Sequence, residues 1–262
     1  LRALHLCSGY GGFELALRGI ARTVLHVERD AYAAATLVAR MAESRLDQAP
    51  IWSDLFTFDA AAWRGRVDLI TAGFPCQPFS SAGQKRGVDD DRWLWPSIAQ
   101  IIRDVEPSFV FLENVPNLVR HGLPHVLSDL AEMGFDAEWS CLSASALGAP
   151  HQRERIWVLG YANGYTSTWL TREVPGEETP SRNQADCDSF EPPSSELSCI
   201  FPPGRDPELW NNWAGPQPTI RRGPDGRPVG LGEYLHLLGN GLVPIVAGAA
   251  FTTLARRAGL LE

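Results

Sequence analysis

The feature that most constrains the fold is a regular alternation of apolar runs and amphipathic stretches across residues 1–162. Apolar runs with strand character lie at residues 1–6, 24–27, 51–52, 67–72, 109–112 and 156–159. Helical periodicity lies between them, at residues 13–19, 31–43, 95–105 and 118–133. Alternating strands and helices are typical of α/β proteins with a largely parallel sheet. We therefore expect a doubly wound, mostly parallel sheet, with residues 136–142 and 155–160 as an antiparallel pair at its edge.

The composition favours one large domain over a membrane protein or a disordered chain. Hydrophobic residues make up 44% of the 262 residues and charged residues 21%, which suits a full core. No run of about 18 apolar residues occurs, so the sequence excludes a membrane-spanning helix. The net charge of -8 disfavours nonspecific binding of nucleic acid by an overall basic surface. Five cysteines without a CxxC pair argue against zinc ribbons and indicate a reducing compartment.

Residues 163–230 differ in character from the rest of the chain. They contain eleven of the 20 prolines and three tryptophans. A small recognition region and a disordered linker would both explain the prolines, and the tryptophans favour partial order. Helical patterning returns at residues 231–238 and 244–259. We therefore divide the chain into a principal domain at 1–162, a small variable region at 163–230 and a returning segment at 231–262.

A glycine-rich turn follows the first strand and opens a helix. It reads Cys7-Ser8-Gly9-Tyr10-Gly11-Gly12-Phe13. Glycines let the backbone approach a ligand closely, and doubly wound folds bind nucleotides at this place. The dinucleotide pattern GxGxxG would need glycine where Glu14 stands, which weakens a nicotinamide interpretation.

Two acidic residues end the next two strands. Glu28 is followed by Arg29, and Asp54 is followed by Leu55. A carboxylate after the second strand can accept hydrogen bonds from both ribose hydroxyls. Either acid could instead cap the helix that follows it. Together with the glycine turn, acids at successive strand ends suit an adenosyl ligand.

Cys76 is the candidate nucleophile. It follows a buried strand, between Pro75 and Pro78, which stiffen its backbone. A lone cysteine is usually inert core filler. A thiol at the ligand-binding edge of a sheet is a better candidate for nucleophilic chemistry.

Three charged side chains are candidates for the same edge. Glu113 leaves a hydrophobic strand, where burial would raise the pKa of its carboxyl and let it share a proton with a ring nitrogen. A capping or salt-bridged glutamate is the alternative. Arg153 and Arg155 would point to one face of a strand and could hold a phosphate or a carbonyl beside Cys76, unless they are merely solvated at the surface.

In this order, the motifs resemble those of the DNA (cytosine-5)-methyltransferases. The resemblance covers residues 4–161 and about 235–251. Pro75-Cys76-Gln77 is similar to the family's nucleophile signature, and Glu113-Asn114-Val115 to its second catalytic signature. The glycine turn, the arginine pair and the block around Asn240 resemble further motifs. His151 and Gly241 depart from the commonest family residues. Because the variable region is short, the chain is most similar to compact phage or prokaryotic members.

The resemblance implies a methyltransferase fold and a reaction. A methyl group would pass from S-adenosyl-L-methionine, which becomes S-adenosyl-L-homocysteine, to C5 of cytosine in double-stranded DNA. The target base would be flipped out of the duplex. Cys76 would add to C6, Glu113 would hold N3 and the exocyclic amine, and Arg153 or Arg155 would contact O2.

The resemblance also implies binding residues. The cofactor-binding set comprises Ser8, Gly9, Gly11, Gly12, Phe13, Glu28, Arg29, Asp54, Leu55, Pro75, Leu94, Asn240 and Gly241. The expected DNA contacts are Gln77, Ser80, Gln84, Lys85 and Arg86, with Arg221 and Arg222 in the variable region. On this interpretation, residues 1–162 are the catalytic and cofactor-binding domain, and residues 163–230 select the target.

The wider expectations are a monomer without metal or membrane association, in the cytoplasm of a prokaryotic cell or encoded by a phage, with no targeting signal. A restriction endonuclease that acts on the same sequence is a candidate partner. An RNA cytosine-5 methyltransferase is one alternative, although the variable-region cysteines, Cys187 and Cys199, lack that group's Cys-Phe-Thr segment. A catalytically silent DNA-binding paralogue and a nicotinamide oxidoreductase are the others.

Overall fold

A computed structural model describes residues 1–75, 93–149, 151–164 and 241–261. The strands in these ranges are β1 (Arg2–Leu6), β2 (Arg22–Val27), β3 (Ile51–Trp52), β4 (Leu69–Gly73), β5 (Phe109–Asn114), β6 (Phe135–Ser143) and β7 (Glu154–Ala162). They form one sheet in the order β3-β2-β1-β4-β5-β7-β6. Strands β1 to β5 pair in parallel, and β7 runs antiparallel to β5 and β6. The predicted α/β class, the mostly parallel sheet and the antiparallel edge pair are confirmed.

The helices of the described residues are α1 (Gly12–Ala16), α2 (Ala31–Ala42), α3 (Trp95–Val105), α4 (Leu118–His121), α5 (Leu123–Glu132) and α6 (Pro244–Arg257). Short 3-10 turns lie at Leu55–Thr57, Ala61–Trp63 and Ser145–Leu147. The sequence predicts one helix over residues 118–133, where the structure has α4 and α5. The helix is interrupted because Gly122 leaves helical geometry at φ -130° and ψ -26°, and Pro124, without an amide hydrogen, starts a new helix. Among the described residues, no helix combines the length and the apolar character that a membrane crossing needs.

Residue alternation along the strands builds a separate core on each face of the sheet. On β5, Val110 and Leu112 pack with α3 and α5, whereas Phe109 and Phe111 pack with α1 and α6. The same alternation occurs on β7, where Val158 belongs to the first core and Trp157 to the second. This period of two is what a strand buried on both faces requires.

A buried polar network lies within the sheet, below the ends of the strands. His5 forms hydrogen bonds through its two ring nitrogens, to Thr71 Oγ1 at 2.7 Å and to Thr23 Oγ1 at 3.1 Å. Its ring stacks on that of His26, whose Nε2 lies 3.1 Å from Oε2 of the buried Glu14. Burial, and secondarily the nearby His26, hold the pKa of His5 well below its ordinary value of 6.5.

The topology brings distant parts of the chain to one edge of the sheet. Parallel strands β1, β2, β4 and β5 all end there, and antiparallel β7 begins there, since Asn114 pairs with Ile156. The crevice beyond the carboxyl ends of parallel strands is where open α/β sheets bind ligands. The candidate residues of the sequence analysis that are described lie along this edge.

Candidate active site

A cavity of about 640 Å³ opens at the carboxyl edge of the sheet. This volume is in the range of small-molecule sites, roughly 300–1,000 Å³. Its walls come from the glycine turn, from the residues after β2 and β3, from the ends of β4 and β5, and from the segment before α6. The predicted site residues that line it are Ser8, Gly9, Gly12, Phe13, Glu28, Arg29, Asp54, Leu55, Pro75, Leu94, Glu113 and Gly241.

Gly11 is the described member of the predicted cofactor-binding set that does not line the cavity. It has a φ of +86°, and a Cβ built there would lie 2.7 Å from Leu46 Cδ1. A side chain at this position would therefore be strained by both the backbone conformation and the packing. Gly11 shapes the turn against the core.

Glu28 is held by two backbone amides. Its Oε2 accepts a hydrogen bond from Gly9 N at 2.7 Å, and its Oε1 accepts one from Asp30 N at 2.8 Å. The capping role that was considered for Glu28 belongs instead to Asp30, whose Oδ1 accepts from Ala33 N in the first turn of α2. Each carboxylate oxygen has a second lone pair, so Glu28 can still accept hydrogen bonds from a ligand's hydroxyls.

Asp54 lines the cavity and caps a turn at the same time. Its Oδ1 accepts a hydrogen bond from Phe56 N at 3.0 Å, at the start of the 3-10 turn Leu55–Thr57. The capping alternative therefore describes Asp54, without removing its side chain from the cavity. Phe56, which is 61% exposed, also lines this end of the cavity.

Glu113 lies at the end of β5 and is buried, with 7% of its surface exposed. Its Oε1 is 2.8 Å from Arg155 Nε. Burial raises the pKa of the Glu113 carboxyl, and Arg155 and Arg153 oppose this shift without cancelling it. Glu113 is therefore salt-bridged, with a pKa above the ordinary value of 4.5.

The ends of β4 and β5 are joined beside Glu113. Asn114 Nδ2 donates a hydrogen bond to Phe74 O at 3.1 Å. A Cβ at Gly73 would lie 3.3 Å from Glu113 Oε2, so glycine at this position lets the carboxyl lie close to the backbone of β4. The next residues, Phe74 and Pro75, lead directly to Cys76.

The two arginines differ in position, and the prediction that both lie in one strand is wrong for Arg153. Arg155 belongs to β7, but Arg153 precedes the strand and has a φ of +32°. Because this backbone is not extended, strand alternation does not set the direction of its side chain. Arg153 Nη2 donates a hydrogen bond to Gly241 O, while Arg155 pairs with Glu113. Both arginines are close enough to Glu113 to affect its pKa.

Several residues line the cavity without having been predicted as site residues: Cys7, Tyr10, Val27, Asp30, Tyr32, Ala33, Phe56, Gly73 and Leu242. Most of them are direct neighbours of predicted site residues, and this proximity was the available signal. Burial, with Glu28 nearby, raises the pKa of the Cys7 thiol to about 12. Cys7 is therefore protonated at neutral pH and a poor nucleophile.

Some predictions lie outside the described residues. They are Cys76, all seven expected DNA contacts (Gln77, Ser80, Gln84, Lys85, Arg86, Arg221 and Arg222), Asn240, the helix over 231–238 and all of 163–230 except its first two residues. These remain predictions.

A family model decides what kind of protein this is. The model for the C-5 cytosine-specific DNA methylase matches residues 1–197. The chain belongs to this family. The resemblance inferred from the order of the motifs is thereby confirmed. The match includes the glycine turn, Glu28, Asp54, Glu113 and the arginine pair.

Curated relatives of the chain are named Type II methyltransferases. M.CviJI of Paramecium bursaria Chlorella virus IL3A is 32% identical over 166 residues, covering 63% of this chain and 44% of the relative. M.NgoMIV of Neisseria gonorrhoeae is 32% identical over 184 residues, covering 68% and 57%. M.HhaI of Haemophilus parahaemolyticus is 34% identical over 169 residues, covering 62% and 50%. The chain thus spans about half the length of these relatives.

Solved structures support the fold of the chain. The Dnmt2 methyltransferase of S. pombe matches with a TM-score of 0.51 and 23% identity, covering 62% of this chain and 51% of that one. A DNMT2 variant of Spodoptera frugiperda matches with a TM-score of 0.53 and 21% identity, covering 71% and 56%. At this level of identity, the likeness concerns the methyltransferase fold alone.

Proposed function

We propose that this chain transfers a methyl group from S-adenosylmethionine to C5 of cytosine in double-stranded DNA, through a transient bond between Cys76 and C6 of a flipped-out base. One observation carries the proposal. A single cavity joins Glu28, a carboxylate fixed for binding hydroxyls, to Glu113, a buried carboxyl with a raised pKa, beside Pro75, which precedes Cys76. Family membership supports the same activity.

The cavity suits an adenosyl ligand. Glu28 would accept hydrogen bonds from the ribose hydroxyls, because its orientation is already fixed by Gly9 and Asp30. Asp54 and Leu55 would border the adenine, and Ser8, Gly9 and Phe13 would border the rest of the ligand. The bound ligand would supply an electrophilic methyl group and leave as S-adenosyl-L-homocysteine.

Cys76 and Glu113 would activate the base. Cytosine C5 is a poor nucleophile until a thiolate adds to C6. As the bond between Cys76 Sγ and C6 forms, Glu113 would give its proton to N3, so that no negative charge accumulates on the ring. The raised pKa of Glu113 favours the protonated carboxyl that this step needs. After C5 has taken the methyl group, Glu113 would take its proton back from N3. Loss of the C5 proton to water would then let the thiolate leave from C6 and restore the aromatic ring.

Arg155 would orient the base and the acid together. Its guanidinium already lies 2.8 Å from Glu113 Oε1, and its other donors could reach O2 of a cytosine held by that carboxyl. Of the two arginines considered for this contact, the pairing with Glu113 favours Arg155. Because a base in a duplex cannot reach such a cavity, the target nucleotide would be flipped out.

The proposal also includes the residues that would recognise DNA and a partner enzyme. Gln77, Ser80, Gln84, Lys85, Arg86, Arg221 and Arg222 would contact DNA, and residues 163–230 would select the sequence. The Type II names of the relatives favour a restriction endonuclease acting on the same sequence as a partner.

A labelled-methyl assay tests the proposal. The purified chain would be incubated with S-adenosylmethionine carrying a tritiated methyl group and with either double-stranded DNA or RNA. We expect label in DNA, and bisulfite sequencing should place it on cytosine C5. Label in RNA alone would support the RNA methyltransferase instead. DNA binding without transfer would indicate a silent paralogue, and either result would overturn the proposal.

A further inference from the structure

We propose that Tyr10 and Arg153 are positioning residues that clasp two consecutive backbone carbonyls, those of Gly241 and Leu242, and so hold the returning segment as a wall of the cofactor cavity. The inference rests on the proposed function, because it assigns a role within the same cavity. It divides the two arginines between two tasks: Arg155 acts toward the base, and Arg153 acts toward the cofactor.

The clasp consists of two side-chain contacts to adjacent peptide groups. The Tyr10 hydroxyl donates a hydrogen bond to Leu242 O, and Arg153 Nη2 donates one to Gly241 O. The first contact joins residues that are 232 positions apart in the chain, and the second joins residues 88 apart. Both carbonyls belong to residues that line the cavity. Two donors on consecutive carbonyls restrict both the position and the orientation of this segment.

Tyr10 is itself fixed from the opposite side. Arg40 Nη1 donates to Tyr10 O at 2.9 Å, and the Arg40 Cζ lies 4.9 Å from the centroid of the Tyr10 ring. The flanking glycines, Gly9 and Gly11, have φ values of +55° and +86°, which direct the turn so that Tyr10 is 8% exposed. The hydroxyl is therefore presented by a constrained ring, and little conformational freedom remains to be lost in making the bond.

Packing brings the segment into direct contact with the glycine turn. A Cβ at Gly12 would lie 2.8 Å from Leu242 Cγ, so the Leu242 side chain occupies the space that a larger residue at position 12 would need. Leu242 is 7% exposed and belongs to the core that includes Phe13 and Phe251. Packing thus sets the contact, and the two hydrogen bonds fix how the carbonyls face.

Arg153 contacts the cavity wall at Gly241 and also affects the pKa of Glu113. Its charge opposes the burial-driven rise in the pKa of Glu113, while its own pKa is lowered mainly by burial and then by Arg155. Loss of Arg153 would therefore affect both the cofactor wall and the environment of Glu113. Removal of the Tyr10 hydroxyl takes away a hydrogen bond but no charge, which gives the two clasp residues different signatures.

The test compares Tyr10→Phe with Tyr161→Phe. Tyr10→Phe removes one hydroxyl and keeps the ring over the cavity. Tyr161 pairs with Phe109 at the opposite end of the β5–β7 ladder, so Tyr161→Phe is a matched control. Calorimetry with S-adenosylhomocysteine should show affinity weakened about three- to tenfold in Tyr10→Phe, as expected for one lost hydrogen bond, and unchanged in Tyr161→Phe. The KM for S-adenosylmethionine should rise by a similar factor, and kcat at saturating S-adenosylmethionine should change much less than that KM.

Arg153 variants give the second measurement. Arg153→Gln should weaken S-adenosylhomocysteine binding and also move the alkaline limb of the pH–rate profile upward, because the charge that lowers the Glu113 pKa is gone. Arg153→Lys, which keeps the charge, should restore the profile more than the affinity. Tyr10→Phe should leave the profile unchanged.

The results distinguish a failure of the proposed function from a failure of the clasp alone. A parent protein that does not bind S-adenosylhomocysteine would overturn the proposed function and this inference with it. A parent that binds, with unchanged affinity in Tyr10→Phe, would overturn the clasp alone. A variant with a lower melting temperature but parental affinity would also contradict it, because Tyr10 would then serve only the stability of the fold.

Discussion

Glu28 and Glu113 lie at the same edge of one sheet, in opposite environments. Glu28 directly follows β2, and both of its oxygens accept hydrogen bonds from backbone amides. Glu113 ends β5, where burial raises its pKa and an arginine pairs with it. The hydrogen bonds fix the orientation of Glu28, whereas burial at Glu113 favours the neutral acid. The same residue type thus suits hydroxyl binding on one side of the cavity and proton transfer on the other.

The residues around the two glutamates also differ in their exposure to solvent. Near β2 and β3, Trp52 and Phe56 are 44% and 61% exposed. All six residues of β5 are buried, and the strand lies between β4 and β7. On the proposed function, the exposed side would let a soluble ligand enter and leave, and the buried side would hold the reacting base away from water.

The largest effect should come from the nucleophile. Cys76→Ala should abolish methyl transfer, because no bond to C6 can form. Its affinity for S-adenosylhomocysteine should stay within a few-fold of the parent, since the ligand would lie against other strand ends. Cys141→Ala, at a partly exposed site on β6, is the matched control and should transfer label at the parental rate. Substantial labelling by Cys76→Ala would remove Cys76 from the nucleophile role.

Glu113→Gln should lower kcat by about 10²- to 10⁴-fold, the usual contribution of a general acid. The parental rate should also fall as the pH rises through the Glu113 pKa, because the protonated form is the active one. Measuring kcat against pH checks both statements. An undiminished kcat in Glu113→Gln would exclude proton transfer by Glu113.

Glu113→Gln should also change how the stability of the fold depends on pH. A carboxyl with a raised pKa favours the folded state at low pH, and this contribution is lost as the pH rises from the ordinary value of 4.5 through the folded pKa. Glutamine does not ionise, so the melting temperature of Glu113→Gln relative to the parent should be higher at pH 8 than at pH 4.5.

Glu28→Ala should act on the other side of the cavity. The loss of hydrogen bonds to a charged acceptor should cost about 1.5–3 kcal/mol, which weakens S-adenosylhomocysteine binding roughly ten- to a hundredfold. The rate at saturating S-adenosylmethionine should change much less. Glu43→Ala, which removes an exposed partner of Arg45 at the end of α2, is the control. Calorimetry that finds equal affinity in Glu28→Ala would contradict the ribose assignment.

The smallest effect concerns the polar network beneath the site. Since burial depresses the pKa of His5, the unfolded chain takes up a proton before the folded chain does, and stability should fall as the pH drops below 6.5. Each unit of depression corresponds to about 1.4 kcal/mol. Melting temperatures between pH 7.5 and 5 should decline less steeply in His5→Gln than in the parent. Equal slopes would show that His5 does not control this dependence.

The sequence predicted the parts of this molecule that depend on local pattern. Alternating apolar runs placed β1 to β5, and chain order at the strand ends placed Glu28, Asp54 and Glu113 at one edge. The break between α4 and α5 was missed, because helical periodicity outweighed the local effect of Gly122. The orientation of Arg153 was missed because it depends on a single residue with positive φ.

Contacts between distant residues were the other part that the sequence could not supply. The hydrogen bond from Tyr10 to Leu242 exists only because α6 packs against α1. No local sequence pattern predicts that packing. The environment of Glu113 likewise depends on β7 pairing antiparallel to β5, which brings Arg155 Nε within 2.8 Å of the Glu113 carboxyl. The sequence pattern located the residues, and tertiary packing set their contacts and orientation.

The central claim is tested most directly by covalent trapping. DNA with 5-fluorocytosine at the target should become attached to the protein only when S-adenosylmethionine is present. After Cys76 bonds to C6 and C5 receives the methyl group, the C5 substituent would have to leave as a cation, which fluorine cannot do. We predict a shifted protein–DNA band on denaturing electrophoresis, and its loss in Cys76→Ser. No shifted band, on a DNA sequence that is methylated when unfluorinated, would contradict the covalent mechanism.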